Sequence, residues 1–190
     1  MNNSSEHLGD IDVLYDRLIA IYPSTRAPDP SSHAELIAEG KQLAEQCLDH
    51  LYGVLSSMPP RRRKNVAYVA LHLNIQIKTY LSDLTAAQPA VLSEVIVEQR
   101  KIQVNTTALT QLQKRMASVL PLSLHMLHVI AVCHELFHIF LNDVRCARSE
   151  LQTPQSTHKN LIEEIAAREF TRRYLGLDFN PAILDLTYAE

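Results

Sequence analysis

The sequence predicts an α+β protein that is mostly helical and carries a small β-sheet or hairpin. Glycine is scarce, at 4 of 190 residues, and this composition favours helices. Over most of the chain apolar residues recur every three or four positions, which is the period of an α-helix. Residues 91–105 differ because they are rich in β-branched side chains, which favour strands. Together these observations place a short β region among helices.

The N-terminal part of the chain is predicted to be helical after a disordered start at residues 1–10. Residues 11–21 carry apolar side chains at the spacing of a short amphipathic helix. Three prolines within residues 23–32 indicate a linker. A longer helix is expected from about Ser32 to Met58, where a pair of prolines ends it.

Residues 61–82 are compatible with two structures. Alternate residues from Leu71 to Ile77 are apolar, as in a strand, whereas apolar residues from Val66 to Leu81 also form a helical stripe. We favour a helix because the pattern is long and lacks turn residues. The chain is therefore divided into a disordered N-terminus (1–10), a helical N-terminal segment (11–85) and a core domain (86–190).

The core domain begins with the β-rich region and continues in helices. Val91–Glu98 and Lys101–Asn105 flank a two-residue connection, which predicts a hairpin or two adjacent strands. The connection lacks glycine and asparagine, so the register stays open. Three helices are expected after the strands. The first covers about residues 107–119, and the second runs from near Pro121, which could occupy its first turn, to about Asn142. The third runs from His158 to Leu175, where Gly176 ends it.

The charge of the chain does not indicate a particular binding partner, whereas its cysteine content indicates a reducing compartment. The net charge is −3, and the basic run at residues 61–64 is most simply solvated, so no nucleic-acid interface is indicated. The 3 cysteines form no CxxC pair, which indicates free thiols in a reducing compartment. There is no secretory signal, and no uninterrupted apolar run approaches the roughly 20 residues of a membrane helix. We expect a cytoplasmic protein without a membrane partner.

The segment His134-Glu135-Leu136-Phe137-His138 carries the clearest chemical signal. On a helix, His134 and His138 lie one turn apart on the same face, so both imidazoles can bind one metal ion. Glu135 is rotated by about 100° from His134, so it is suited to act as a general base towards water rather than as an equivalent ligand. The flanking residues are strongly apolar, which predicts a buried helix whose polar side chains need partners.

A catalytic metal site of this kind needs a third protein ligand, and the candidates lie downstream. Glu163 and Glu164 lie on the last predicted helix, whose apolar face could pack against the motif helix and direct one carboxylate at the metal. His158 is a competing ligand, although a polar residue near a helix N-terminus is its more ordinary role. In the metal-free alternative, His134 and His138 are hydrogen-bonded core residues.

Three segments resemble the ImmA/IrrE-type metallopeptidases. Residues 102–105 (Ile-Gln-Val-Asn) match the family's strand, residues 134–138 match its motif helix, and residues 164–170 match its ligand helix, in the family's order. Three features depart from the pattern. Phe137 stands where the family usually has glycine, Arg168 stands where asparagine is common, and residues 174–177 (Tyr-Leu-Gly-Leu) replace the usual Leu-Leu-Met-Pro ending.

The resemblance implies the fold, the ligands and the cofactor. It implies a zincin-like core at residues 86–190 with a zinc ion (Zn²⁺) bound by His134, His138 and Glu164, and Glu135 as the general base. It also implies that the strand at residues 101–105 borders the substrate cleft, where an extended peptide could pair with it.

The expected function is therefore that of a zinc-dependent metallopeptidase acting on a protein or peptide substrate. Some members of the family cleave repressor proteins, so a regulatory protease is one suggestion. The alternatives are a catalytically silent zincin-fold regulator or adaptor, and a metal-free helical interaction protein. Tyr174 or Tyr188 could stabilise an oxyanion. His128, three residues after His125, is more simply a core or hinge residue than a partner of the metal site.

Overall fold

The computed structural model describes residues 11–21, 29–82, 91–147 and 158–189. The predicted α+β fold is confirmed, with helices packed around a three-stranded sheet. In chain order the elements are α1 (Ile11–Ile21), α2 (His33–Val54), α3 (Pro60–Arg63), α4 (Val66–His72), β1 (Gln76–Tyr80), β2 (Ser93–Ile96), β3 (Lys101–Asn105), α5 (Thr106–Met116), α6 (Leu124–Ala147), α7 (Lys159–Leu175) and α8 (Ala182–Ala189). The predicted disorder at residues 1–10 and most of the predicted linker lie outside the described residues.

The prediction of a helix throughout residues 61–82 is wrong. Only α4 follows the predicted helical stripe. Asn65 caps this helix, because its side-chain oxygen accepts hydrogen bonds from the N–H groups of Ala67 at 3.1 Å and Tyr68 at 3.2 Å. Asn74 then adopts a left-handed conformation, with φ of 55°, and the chain continues as β1. Because β1 pairs in parallel with β3, a strand distant in sequence, this pairing overrides the local helical pattern.

The predicted hairpin is present, with β3 in the centre of the sheet between β1 and β2. The antiparallel register of β2 and β3 pairs Ser93 with Val104. In the connection, Arg100 adopts φ of 47°, in a position where glycine would be unstrained. The Arg100 guanidinium donates two hydrogen bonds, of 2.8 and 2.9 Å, to the carboxylate of Asp143 on α6. This ion pair fixes the hairpin to the motif helix.

Helix α6 forms the centre of the hydrophobic core. It begins at Leu124, later than predicted, because the Ser123 hydroxyl accepts a hydrogen bond from the Met126 N–H at 3.1 Å and caps it. By length and composition, Leu124–Cys146 would suffice to cross a membrane, but 61% of its most apolar window is buried inside the fold. The apolar length of α6 therefore matches its place in the core.

Helix α7 packs along both α2 and α6, and it ends where predicted. Gly176 terminates it in a left-handed conformation, with φ of 67°. Its approach to α2 depends on Gly40, because a Cβ atom there would lie 2.6 Å from Cγ2 of Ile165. After Gly176 the chain forms α8, which the sequence did not predict and which packs against α1 and α5.

Candidate metal centre

The structure brings the three predicted ligands together between α6 and α7. The Nε2 atoms of His134 and His138 are 3.4 Å apart. Glu164 presents Oε2 at 3.5 Å from Nε2 of His134, and Oε1 at 3.6 Å from Nε2 of His138. All three side chains are largely buried, with between 17% and 24% of their surface exposed.

These separations fit a shared metal ion. Donor atoms bound to one ion at about 2.0–2.2 Å in a tetrahedral arrangement lie roughly 3.3–3.6 Å from each other. The observed distances of 3.4 to 3.6 Å are close to this spacing before any adjustment. Two imidazole nitrogens and one carboxylate are also ordinary ligands for a divalent metal. His134, His138 and Glu164 can therefore hold a metal ion.

Ring packing positions the motif helix against the ligand helix. Phe137 is completely buried, and its ring centroid lies 5.6 Å from that of Phe170 on α7. The same ring meets the imidazole of His138 edge-on at 5.4 Å. Ala167, also fully buried, is small enough to let the two helices approach. Phe137 thus packs into the α6–α7 interface and orients one imidazole.

The charges around the site favour metal binding by Glu164 and His138. Burial alone would raise the pKa of Glu164, but the adjoining Arg168 guanidinium and both imidazoles hold this pKa well below its usual range. Burial and the neighbouring His134 lower the pKa of His138 to about 4, so its imidazole is neutral near pH 7. Burial opposes protonation of His134, yet the Glu164 carboxylate raises the pKa of this imidazole. A proton bound to the His134 imidazole would have to leave before this nitrogen could bind a metal ion.

Glu135 lies beside the three ligands but faces a different partner. Its side chain is buried, and Oε1 accepts a hydrogen bond of 2.7 Å from the Ser93 hydroxyl on β2. Burial raises the pKa of Glu135, while the neighbouring His134 and the Ser93 hydrogen bond partly oppose the shift. A carboxylate with a raised pKa is a better proton acceptor than an exposed one. Glu135 is therefore a buried proton acceptor beside the cluster, and it is not one of the three residues grouped as ligands.

The metal centre opens into a cleft of about 1020 Å³. One wall is formed by residues 91–98, which include β2. None of the described residues 101–105 lines the cleft, so the expectation that this strand borders it is wrong. That strand is β3, which is covered on both edges by neighbouring strands, whereas β2 lies at the sheet edge. The floor of the cleft is apolar and is formed by side chains of α5, α6 and α8: Leu109, Leu112, Leu127, Ile130 and Leu184.

The other sequence candidates lie away from the ligand cluster. Glu163 also lines the cleft, but its carboxylate accepts a hydrogen bond of 2.7 Å from Arg145. His158 is the N-cap residue of α7 and does not join the three ligands. Tyr174 is only 3% exposed and donates its hydroxyl proton to the Arg63 carbonyl, so it does not face the cleft. The side chain of Tyr188 lies outside the described structure.

The histidine pair before the motif also stays apart from the site. His125 is exposed and His128 is half-buried, and neither lines the cleft. Burial, followed by the charge of His125, lowers the pKa of His128. These properties agree with the ordinary role that the sequence indicated for His128.

Three residues at the site were not identified from the sequence. Ser93 holds Glu135, and Arg168 donates hydrogen bonds to Glu164 (2.6 Å) and to Asp185 (2.7 Å). The spacing of four between Glu164 and Arg168 is a detectable signal, because such pairs meet on a helix. Ser93 and Asp185 gave no such signal, since their contacts depend on the sheet edge and on an unpredicted helix.

Comparison with protein-family models, with curated proteins and with solved structures gives no match. The resemblance to the ImmA/IrrE type therefore rests on its three motif segments alone. What the protein does has to follow from the geometry of the site, because a fold alone does not determine function.

Proposed function

We propose that the protein is a zinc-dependent metallopeptidase in which His134, His138 and Glu164 bind the ion and Glu135 is the general base. The observation that carries the proposal is the spacing of the donor groups beside a buried carboxylate in a cleft: the two Nε2 atoms are 3.4 Å apart, and each has one oxygen of Glu164 at 3.5 or 3.6 Å. The arrangement supports the zincin-like, ImmA/IrrE-type site that the motif resemblance implies.

Zinc is the metal that this donor set suits best. Two imidazoles and one carboxylate, with the fourth position open to a cleft, are typical of catalytic zinc sites. All three cysteines are free, and none of them belongs to the cluster formed by the described residues. When bound, zinc supplies Lewis acidity, which polarises a carbonyl and makes water acidic near neutral pH.

Glu135 transfers the proton that the reaction moves from water to the leaving amine. Glu135 accepts a proton on its carboxylate from the attacking water, and later delivers that proton to the amine that leaves. The hydrogen bond from Ser93 fixes one carboxylate oxygen of Glu135 and leaves the other available for this transfer. The apolar cleft floor excludes bulk water, which strengthens the electrostatic interactions inside.

The shape of the cleft favours an extended peptide as substrate. Within the described residues β2 pairs only with β3, so its other edge offers unpaired backbone groups along the cleft. The apolar floor suits a bulky aliphatic or aromatic side chain of the substrate. We also propose that the protein acts in the cytoplasm, since its cysteines are free.

The test compares the wild-type protein with Glu135→Gln and with Glu39→Gln, a matched substitution at an exposed position on α2. Zinc content is measured by elemental analysis, and proteolysis is measured with casein and a mixed peptide library. We expect one zinc per chain in all three proteins and loss of cleavage only in Glu135→Gln. Zinc without cleavage in every protein would instead favour a silent regulator, and well-folded protein that binds no zinc would refute the metal centre.

A further inference from the structure

We infer that Arg168 is a further catalytic residue, whose guanidinium binds the substrate oxygen that becomes negative when the peptide carbonyl is attacked. The inference rests on the proposed function, because it assumes attack at the centre formed by His134, His138 and Glu164. It concerns a position at which this chain departs from the family pattern, since asparagine is common there.

Arg168 is held against the metal centre by three hydrogen bonds. It follows Glu164 by one helical turn, and its Nη1 donates to Oε2 of Glu164 at 2.6 Å and to the Glu164 carbonyl at 2.7 Å. Its Nε donates to Oδ2 of Asp185 on α8 at 2.7 Å. The Arg168 side chain is only 8% exposed, yet it lines the cleft. The guanidinium is thus fixed beside a metal ligand by partners from two helices.

One end of this guanidinium is left for the substrate. The bonds to Glu164 and Asp185 use Nε and Nη1, and Nη2 donates to no partner within the described residues. Nη2 is not completely buried, so it keeps a small contact with solvent although the side chain as a whole is only 8% exposed. Because Arg168 lines the cleft, we infer that Nη2 contacts solvent inside the cleft. Two N–H groups on a cation therefore remain available at the reaction site.

Several other donors on the cleft wall already have partners. The Ser93 hydroxyl donates to the general base, and the Thr171 hydroxyl donates to a backbone carbonyl of its own helix at 2.8 Å. Arg145 is bound to the neighbouring acid of α7. Tyr174, which the sequence offered as an oxyanion stabiliser, turns its hydroxyl to a distant carbonyl. Among the described cleft residues, Arg168 is the cation in direct contact with a metal ligand.

The geometry assigns Arg168 a defined place in the reaction. As the water oxygen forms a bond to the carbonyl carbon, the π-electron pair of the carbonyl moves onto its oxygen, and the proton of the water passes to Glu135. An N–H of Arg168 donates a hydrogen bond to the charged oxygen. The electron pair then returns, the C–N bond breaks, and the amine leaves with the proton held by Glu135. Asp185 is a positioning residue, because it orients the guanidinium from the opposite side.

The experiment uses a probe that imitates the attacked carbonyl. A phosphinic pseudodipeptide with leucine-like side chains places a tetrahedral P–O⁻ group where the scissile amide would be. A mercaptoacyl-leucine amide is the comparison ligand, since it binds zinc through sulfur and carries no such oxygen. Binding of both is measured by calorimetry on zinc-loaded full-length wild type, Arg168→Met, Arg168→Lys and Arg173→Met. The last is the matched control, because Arg173 is a partly exposed arginine of the same helix that does not line the cleft.

We expect Arg168→Met to weaken phosphinate binding by about 10–100-fold, the usual loss for a hydrogen bond to a charged group. Arg168→Lys should be intermediate, and Arg173→Met should match wild type. Thiol binding and zinc content should stay unchanged in all four proteins.

Two results would overturn the inference while leaving the metallopeptidase intact. One is equal phosphinate affinity in wild type and Arg168→Met. The other is loss of zinc from both Arg168 variants, which would make the side chain a structural support of Glu164. A wild-type protein that holds no zinc, or that binds zinc but cleaves no peptide, would instead overturn the proposed function itself.

Discussion

Replacing Gly40 by alanine tests whether the α2–α7 contact sets the position of Glu164. A methyl carbon at Gly40 would lie 2.6 Å from Cγ2 and 2.9 Å from Cβ of Ile165, the residue next to the ligand. Ordinary contact begins at 3.4 Å, so α7 would have to recede by about 0.8 Å locally. Both contacts are to buried, branched atoms close to the backbone, which cannot rotate away.

The expected change in stability follows from two opposing effects. Overpacking of a core contact costs about 1–3 kcal/mol. Alanine in place of glycine inside a helix contributes about 0.5–1 kcal/mol in favour of folding. The free energy of unfolding should therefore fall by up to roughly 2.5 kcal/mol in Gly40→Ala. Zinc affinity should fall by about tenfold, comparable with losing a residue that supports a ligand.

The matched control is Gly53→Ala in the same helix, where an added methyl group would meet no atom within 4 Å. It should raise the free energy of unfolding by up to about 1 kcal/mol. Stability is measured by urea denaturation of the chelator-treated proteins, and zinc affinity is measured separately by competition with a fluorescent chelator. If Gly40→Ala is stabilised as much as Gly53→Ala and binds zinc normally, the helix contact does not position the ligand.

A double-mutant cycle separates the clash from other effects of the substitution. Ile165→Ala alone should cost about 2–5 kcal/mol, because it leaves a cavity in the core. Combined with Gly40→Ala it should cost less, since the new methyl group occupies part of that space. A coupling free energy of at least about 0.5 kcal/mol is expected for residues in contact. Additive changes would contradict the predicted contact.

Four further predictions concern the metal ligands, the cysteines and the cleft. Glu164→Ala should weaken zinc binding by more than the roughly 10–100-fold loss that is typical when a residue supporting a metal ligand is removed. Glu163→Ala should bind zinc normally, so equal losses in a zinc titration would contradict the assignment of Glu164 as the ligand. At pH 8 a thiol reagent should modify Cys146 alone by mass spectrometry, because Cys146 is exposed and burial raises the pKa of Cys47 and of Cys133 to about 12. Between pH 9 and pH 12 the thiols of Cys47 and Cys133 lose their protons in the unfolded chain but keep them in the folded protein. The free energy of unfolding should therefore fall as pH rises, by at most about 1.4 kcal/mol per pH unit for each thiol. The fall should be less steep in Cys47→Ala, which lacks one of the two thiols. Products of a peptide library should show cleavage beside leucine or isoleucine rather than aspartate, since the cleft floor is apolar; no preference would contradict this.

Much of the fold could be predicted from periodicity because most of the elements are amphipathic helices. α1, α2 and α7 lie close to their predicted bounds, and the hairpin forms in the expected region. What failed was β1, whose residues also fit a helical stripe, because its structure depends on pairing with β3. Local patterns do not contain the partner of a strand, so such assignments depend on tertiary contacts.

The site was predictable in its ligands but not in its supporting residues. The spacing of His134 and His138 on one helix determines that their imidazoles are neighbours, and the resemblance supplied Glu164. Ser93 reaches Glu135 only because β2 is the edge strand, and the sequence placed β3 there instead. Contacts that depend on the order of strands cannot be read from one strand's own pattern.

The arginine network was missed for a related reason. Arg168 is recognisable as a partner of Glu164 by its spacing, but the second anchor, Asp185, lies on α8. Helix α8 follows a glycine stop and is short, so its sequence gives a weak periodic signal. The position of its carboxylate depends on packing against α1 and α5.

The most direct measurement is zinc K-edge X-ray absorption of full-length protein loaded with one equivalent of zinc. The proposed centre predicts nitrogen and oxygen neighbours only, at about 2.0–2.1 Å, with the multiple scattering of two imidazoles. Substitution of His138 by alanine should remove one imidazole contribution. A sulfur neighbour near 2.3 Å, or a spectrum unchanged by that substitution, would contradict a zinc site built from His134, His138 and Glu164.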